Sequence, residues 1–303
     1  MALSRTFRKE AEANSVEKEI QKIREKLGHY TVEKQPRYWL RTEDPLLEEV
    51  FGKPGQGIAY GKLYEIFGKE SGGKTAIALH LAALAQKDGA EVVWGDFECC
   101  WDDDWSTIRG LDPSRVAVFR PEIISDKKGK ESRLMSAEET FAEAEMWVRQ
   151  KMVKNPKVKI FFGIDSTPAI MPAEEEEKGT EGHGMAMQAR FMTRLLKRWV
   201  PIAWTHNVMM VTINQIRLNP GVRFGSPEYT PGGTALKFYC SVRVKVKRAR
   251  GGGWITARGK KIGIKGILTN IKNKAGGQEG DIVGYKMYFD RAAKFLPAGD
   301  IEE

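Results

Sequence analysis

One octapeptide constrains this chain more than any other feature. "GKESGGKT", Gly68–Thr75, fits the spacing G-x-x-x-x-G-K-[ST]. It follows the apolar run "KLYEIF", which reads as a strand, and opens a stretch from Lys74 to about Lys87 that reads as a helix. In that context backbone N–H groups turn inward around phosphate oxygens, and the helix N-terminus adds its partial positive charge. Gly68, Lys69, Glu70, Ser71, Gly72 and Gly73 form the cradle. Lys74 reaches the β- and γ-phosphates, and the Thr75 hydroxyl is a Mg²⁺ ligand. The expected ligand is ATP or GTP with Mg²⁺.

The surrounding pattern agrees with such a site. "EVVWGD", "RVAVF", "KIFFGID" and "VMMVTIN" are short apolar runs, most of them followed by helical or loop segments such as "SAEETFAEAEMWVRQKM" and "GMAMQARFMTRLLKRW". This alternation predicts an α/β fold, a mainly parallel sheet covered by helices on both faces. Beyond residue 234 the helical pattern fades. "ALKFYCSVRVKVKRAR" and "IGIKGILTNIKNK", around the glycines 251–253, predict antiparallel strands added to that sheet. Residues 1–40 read as an appendage with one helix, capped by Asn14 with Glu17 and striped by Val16, Ile20, Ile23 and Leu27. It serves either its own domain or a neighbouring subunit. The division expected is 1–40 as an oligomerisation segment, 41–278 as the core, and 279–303 as a short extension with an acidic end.

"KIFFGIDS" supplies the second half of a triphosphate site. Its strand ends at Asp165, where a carboxylate holds the Mg²⁺ shell. Hydrolysis also needs a group that orients or deprotonates water. "VVWGDFECCWDDDW" offers Glu98, with Asp96 as its competitor. Trp105 either stacks on a base or simply packs.

Net charge is +9, and its distribution matters more than its sum. The fifty residues Tyr229–Gln278 hold no Asp or Glu and twelve Lys or Arg, so +9 less 12 leaves −3 for the rest of the chain. A one-sign block is an electrostatic footprint for a polyanion, or else a solvated basic hairpin. Arg243, Lys245 and Lys247 alternate with Val242, Val244 and Val246, which predicts a half-buried strand with a basic outer face. Lys272 and Lys274 share one strand face by the same alternation, and repel each other unless something anionic sits between or in front of them. Cys99, Cys100 and Cys240 form neither a disulfide framework nor a metal spacing, which agrees with a reducing cytosol. No apolar run is long enough to span a bilayer.

At this point the residues resemble a known family. "INQIRLNPGVRFGSPEYTPGGTALKFYCSVRVKVKR", Ile213–Arg248, is similar to the DNA-binding loop and following strand of the RecA recombinases, and "GKESGGKT", "DFE", "FFGIDS" and "IKNKAGG" fall in the family's order over about residues 42–275. The resemblance implies a RecA-like ATPase core that polymerises on single-stranded DNA as a helical filament and pairs it with homologous duplex DNA, in the bacterial cytoplasm or nucleoid. It implies Glu98 as the water-activating carboxylate, with Lys74, Thr75 and Asp165 at phosphate and Mg²⁺. Trp105 is implied at the adenine with Asp102 beside it, and Gln215 as the sensor of the γ-phosphate. Arg190, Thr193, Lys197, Arg217, Gly232 and Gly233 are implied at DNA. Lys237, Phe238, Lys272 and Lys274 are implied at the subunit interface, the last two reaching the neighbour's ATP.

Several departures accompany it. Glu174–Glu177 in the first loop repel phosphate, and Pro220 and Arg223 replace apolar residues in the second, leaving Leu218 and Phe224 as candidates to wedge between bases. The chain ends soon after Lys274, as a trimmed, phage-encoded member would. A ring-forming helicase and a non-catalytic DNA-coating protein are the alternative readings of the same core.

Overall fold

Four apolar runs fold as strands buried along nearly their whole length, the burial pattern of a sheet covered on both faces. In the computed structural model, which describes residues 38–125, 132–174, 184–218 and 227–301, six strands run parallel. They are β1 (Leu63–Gly68), β2 (Glu91–Asp96), β3 (Val116–Phe119), β4 (Ile160–Asp165), β5 (Val208–Gln215) and β6 (Val242–Arg248), in the order β6-β1-β5-β4-β2-β3. Four antiparallel strands extend the sheet beyond β6: β7 (Trp254–Ala257), β8 (Lys260–Asn273), β9 (Ile282–Tyr288) and β10 (Lys294–Pro297).

Helices cover both faces. They are α1 (Pro45–Phe51), α2 (Lys74–Lys87), α3 (Asp103–Ile108), α4 (Ala137–Lys154), α5 (Gly184–Thr205) and α6 (Ala235–Tyr239). The Ala- and Leu-rich α2 packs on the face carrying Tyr64, Ile66, Val92, Trp94 and Phe161. Phe141 and Val148 of α4, with Phe191 and Trp199 of α5, pack on the opposite face against Val93, Phe162 and Met210.

The sheet corrects three expectations. "SVRVKVKR" is antiparallel on one side only: β6 pairs antiparallel with β8 but runs parallel to β1, with Val242 opposite Tyr64 and Val246 opposite Gly68. Side-chain alternation fixes which face a residue occupies and carries no information on strand direction. Its outer face is also not uniformly basic. Arg243 lies opposite Glu65 in register, is buried, and donates to the Glu65 carboxylate, while Lys245 donates to Glu228. Lastly, β9 and β10 lie in the stretch 279–303 and are integral to the sheet, with Val283, Tyr285 and Met287 buried in turn. The N-terminal helix expected around Val16–Leu27, Glu175–Glu177, Pro220, Arg223 and Phe224 lie outside the described residues. Among the described residues, no helix is long and apolar enough to cross a membrane.

Candidate functional site

The carboxyl ends of the parallel strands gather the chemistry on one edge, where open α/β sheets form their binding crevices. Gly68 ends β1 and leads into the phosphate loop, which closes onto the N-terminus of α2 at Gly73. Gly73 has φ +85°, a left-handed conformation that favours glycine. Gly68 is required by space, since a Cβ there would meet the Val246 carbonyl oxygen at 2.3 Å. Lys69, Glu70 and Ser71 are exposed along the loop. Lys74 is buried, and its Nζ donates to the Lys69 carbonyl at 2.9 Å. Burial lowers its pKa, while Asp165, Glu98 and Glu70 oppose that shift.

Three carboxylates converge beside the loop. Asp165 at the end of β4 accepts from Thr75 Oγ1 at 2.8 Å, and Asp96 lies opposite it in register at the end of β2. Burial pushes the Asp165 carboxyl up to about 7, with Glu98 and Asp96 adding to the rise against the Thr75 hydrogen bond and Lys74. Asp96 is buried and accepts from the backbone N–H groups of Cys100 at 2.9 Å and Trp101 at 3.0 Å. Glu98 is exposed at the mouth, and one of its oxygens accepts from Ser166 Oγ. The hydrogen bonds therefore separate the two competitors: Asp96 shapes the turn, whereas Glu98 is exposed and accepts from a side chain, Ser166.

Above the loop lies a cleft of about 390 Å³, lined by Ser71–Ala76, Trp105, Arg248, Trp254, Ile264, Met287 and Phe289. Trp105 is thus part of the wall of the cleft beside the phosphate loop. Asp102 spends Oδ1 on capping α3 through the Trp105 N–H at 2.7 Å, and is not among the lining residues. Sequence reasoning missed the opposite wall. Ile264 belongs to β8, and Met287 and Phe289 lie at the end of β9. Buried Tyr285 on β9 also donates to the Gly72 carbonyl at 2.8 Å, bracing the loop from the antiparallel side. The signal was present in the alternation of Val283, Tyr285 and Met287.

A second group links this crevice to the loop bases. Gln215 lies opposite Gly68 in register, and the next N–H, of Ile216, donates to the Gly68 carbonyl at 3.2 Å. Arg217 and Leu218 follow at once, both exposed, paired with Glu228–Tyr229 at the root of the second loop. Gly232 and Gly233 have φ of +86° and +72°, and a Cβ on Gly233 would meet Ala189 Cβ at 2.8 Å. The second loop's end therefore lies against the turn of α5 that carries Arg190. Arg190 and Lys197 are exposed, whereas Thr193 spends its hydroxyl on the Ala189 carbonyl. A hollow of about 250 Å³ brings Arg217, Gly232 and Gly233 together with Lys237 and Gln188.

The remaining expected residues lie toward the other edge. Lys272 pairs in register with Arg243, which pairs with Glu65, so it stands three residues below Gly68 and two strands away. That is roughly 10 Å along the strands and about 10 Å across them. Its Nζ donates to the carbonyls of Lys237 (2.7 Å) and Phe238 (3.2 Å) near the end of α6. Burial lowers the Lys272 pKa and Lys274 lowers it further. Lys274 is exposed just past the end of β8, and Phe238 is 74% exposed on α6.

Comparison with known proteins gives a consistent picture. The RecA N-terminal domain matches residues 46–279. A Protein RecA of Rhodopirellula baltica is 38% identical over 194 residues, 64% of this chain and 47% of its own. That of Acholeplasma laidlawii is 31% identical over 218 residues, 72% of this chain and 59% of its own. That of Malacoplasma penetrans is 30% identical over 266 residues, 87% of this chain and 74% of its own. The match therefore spans about half the length of the first two relatives.

Proposed function

The chain belongs to the RecA family, and from that premise we propose that it is an ATP-dependent DNA recombinase. Its subunits polymerise on single-stranded DNA, hold ATP at their interfaces, and pair the bound strand with homologous duplex DNA. The observation that carries this reading is the Gly68–Gln215 register. Gln215 lies beside the start of the phosphate loop and two residues before Arg217, at the root of the second loop, which supports a short route from the γ-phosphate through Gln215 to DNA.

The residues fit the nucleotide and its metal. Gly68–Thr75 form the cradle, and Lys74 neutralises phosphate charge. Thr75 and Asp165 would hold Mg²⁺: their oxygens already lie 2.8 Å apart, and the raised Asp165 pKa marks a buried carboxylate that a cation would relieve. Mg²⁺, when bound, neutralises charge developing on the phosphates. Glu98, held by Ser166, orients and deprotonates the attacking water. Trp105 stacks on the base.

DNA contacts fall to Arg190, Lys197, Arg217 and the glycines 232–233, with Thr193 on the same helix and Leu218 and Phe224 as wedge candidates. Most are backbone contacts, so binding weakens steeply with salt and specificity resides in base pairing. The acid-free block 229–278 supplies the wider field.

Electron microscopy with single-stranded DNA and a non-hydrolysable ATP analogue tests the assembly, and a joint-molecule assay tests the reaction. Helical filaments with strand exchange support the proposal. Closed rings with strand unwinding would instead make the chain a helicase.

A further inference from the structure

Three aromatic side chains of separate origin line the cleft over the phosphate loop, Trp105, Trp254 and Phe289, and the first and last of them share a support. Trp105 comes from α3, and Phe289 follows β9, 184 residues later in the chain. One buried side chain touches Trp105 and the backbone beside Phe289. Arg109, the residue after α3, is only 1% exposed. Its guanidinium lies over the Trp105 ring, 4.1 Å from the centroid. Its Nη2 donates to the carbonyl of Tyr288, the residue before Phe289, at 2.5 Å. Arg109 does not itself line the cleft, so it grips Trp105 from behind.

This is an unusual use of an arginine. Nε and Nη1 are buried with no hydrogen-bond partner among the described residues. Burying unpaired donors is unfavourable, and a purely space-filling role at this position suits leucine or methionine better. Burial lowers the Arg109 pKa to about 10, with Asp290 opposing, which leaves the group charged at neutral pH. A charged, planar group does two things that an apolar one cannot. It binds the indole face by a cation–π contact, and it ties that ring by a hydrogen bond to the backbone beside the second wall.

We propose that Arg109 is a positioning residue that fixes the aperture between Trp105 and Phe289, and thereby sets affinity for the base of the nucleotide while leaving the phosphate cradle unaffected. This rests on the nucleotide reading above. The phosphate cradle has its own supports, the Tyr285–Gly72 and Thr75–Asp165 hydrogen bonds, which Arg109 does not touch.

The test separates base from phosphates. Binding of ATP and of inorganic tripolyphosphate, both with Mg²⁺, is measured by calorimetry on the full chain and on Arg109→Leu. ATP affinity falls on the order of tenfold in the variant, the equivalent of one lost cation–π contact. Tripolyphosphate affinity stays within about twofold, because no base is present to feel the walls. Arg109→Lys keeps the charge without the planar fork, and weakens ATP by about threefold with tripolyphosphate unchanged. It serves as the readout if the leucine variant does not fold. In a Trp105→Ala background, Arg109→Leu costs less than it does alone, because one wall is already gone. Equal losses for both ligands would make Arg109 a structural residue only, and unchanged ATP binding would remove its role. A wild-type chain that binds tripolyphosphate but not ATP would overturn the base site, and one that binds neither would overturn the nucleotide reading itself.

Discussion

Asp96 and Glu98 stand two residues apart and are chemically alike, yet their surroundings assign them different work. Asp96 is buried and occupied by the N–H groups of Cys100 and Trp101. An asparagine there presents one acceptor and one donor to two donors. Asp96→Asn therefore destabilises the fold by about 1–3 kcal/mol, read from the denaturant midpoint at constant slope. Glu98 has no such backbone duty, so Glu98→Gln leaves that midpoint in place. It binds ATP and DNA, and loses DNA-stimulated hydrolysis by roughly 100-fold or more. Full turnover by Glu98→Gln would show that another group activates water. Lys74→Ala differs from both: it removes the buried cation of the cradle, and nucleotide binding itself is lost in a calorimetric titration.

At the scale of elements, α4 is the clearest case of local sequence specifying structure. Ser136 and Glu139 form a reciprocal capping box, and Arg133 donates twice to the Glu139 carboxylate. The Arg133 hydrogen bonds, then that from the Ser136 backbone, hold the Glu139 carboxyl down to about 2. Its folded pKa is thus below the ordinary value, so its stabilisation is fully present above about pH 4.3 and is lost as pH falls toward 2. Thermal melts between pH 5 and 3 should fall less steeply in Glu139→Gln than in the wild type. Ser136→Ala should cost about 1 kcal/mol at any pH in that range. Such elements are readable in sequence because their determinants lie within a few residues. The phosphate loop, β1, β2, β4 and β5 are readable for the same reason. The direction of β6 was not, because an Arg-Val alternation describes either orientation, and its parallel pairing is set by Glu65 on a strand 178 positions away. The contact that supports the second cleft wall was hidden likewise. Arg109 reaches the Tyr288 carbonyl, beside Phe289, through a long-range hydrogen bond, for which no local pattern exists.

At the scale of the whole molecule, the lysine pair is set back from the phosphate loop, Lys272 level with Glu65 in the middle of β1. Lys272 stands about 10 Å down the strands and about 10 Å across the sheet from Gly68, and Lys274 two residues further down. One subunit therefore does not bring them to its own triphosphate. Within the subunit, Lys272 relieves part of the mutual repulsion by donating to the carbonyls of Lys237 and Phe238, where the dipole of α6 favours a cation. That contact ties the pair to the segment that exposes Phe238, an apolar side chain 74% open in the isolated subunit. An exposed phenylalanine beside two lysines suits an apolar contact ringed by charge, with the neighbour's phosphates as the missing anion. If so, Lys272→Ala combined with Lys274→Ala spares nucleotide binding by the isolated subunit, since its own cradle is intact. DNA-stimulated hydrolysis is lost, because that requires the lysines of one subunit at the ATP of the next. Phe238→Ala acts one step earlier: it shortens filaments on single-stranded DNA and makes hydrolysis more dependent on protein concentration. The decisive measurement is complementation by mixing. Subunits carrying Glu98→Gln and subunits carrying the double lysine substitution are each inactive alone. Mixed filaments contain junctions in which an intact Glu98 faces an intact lysine pair, and those junctions recover hydrolysis. Absence of recovery in filaments shown by microscopy to be mixed would place the lysines in the DNA-binding footprint instead of across the subunit interface.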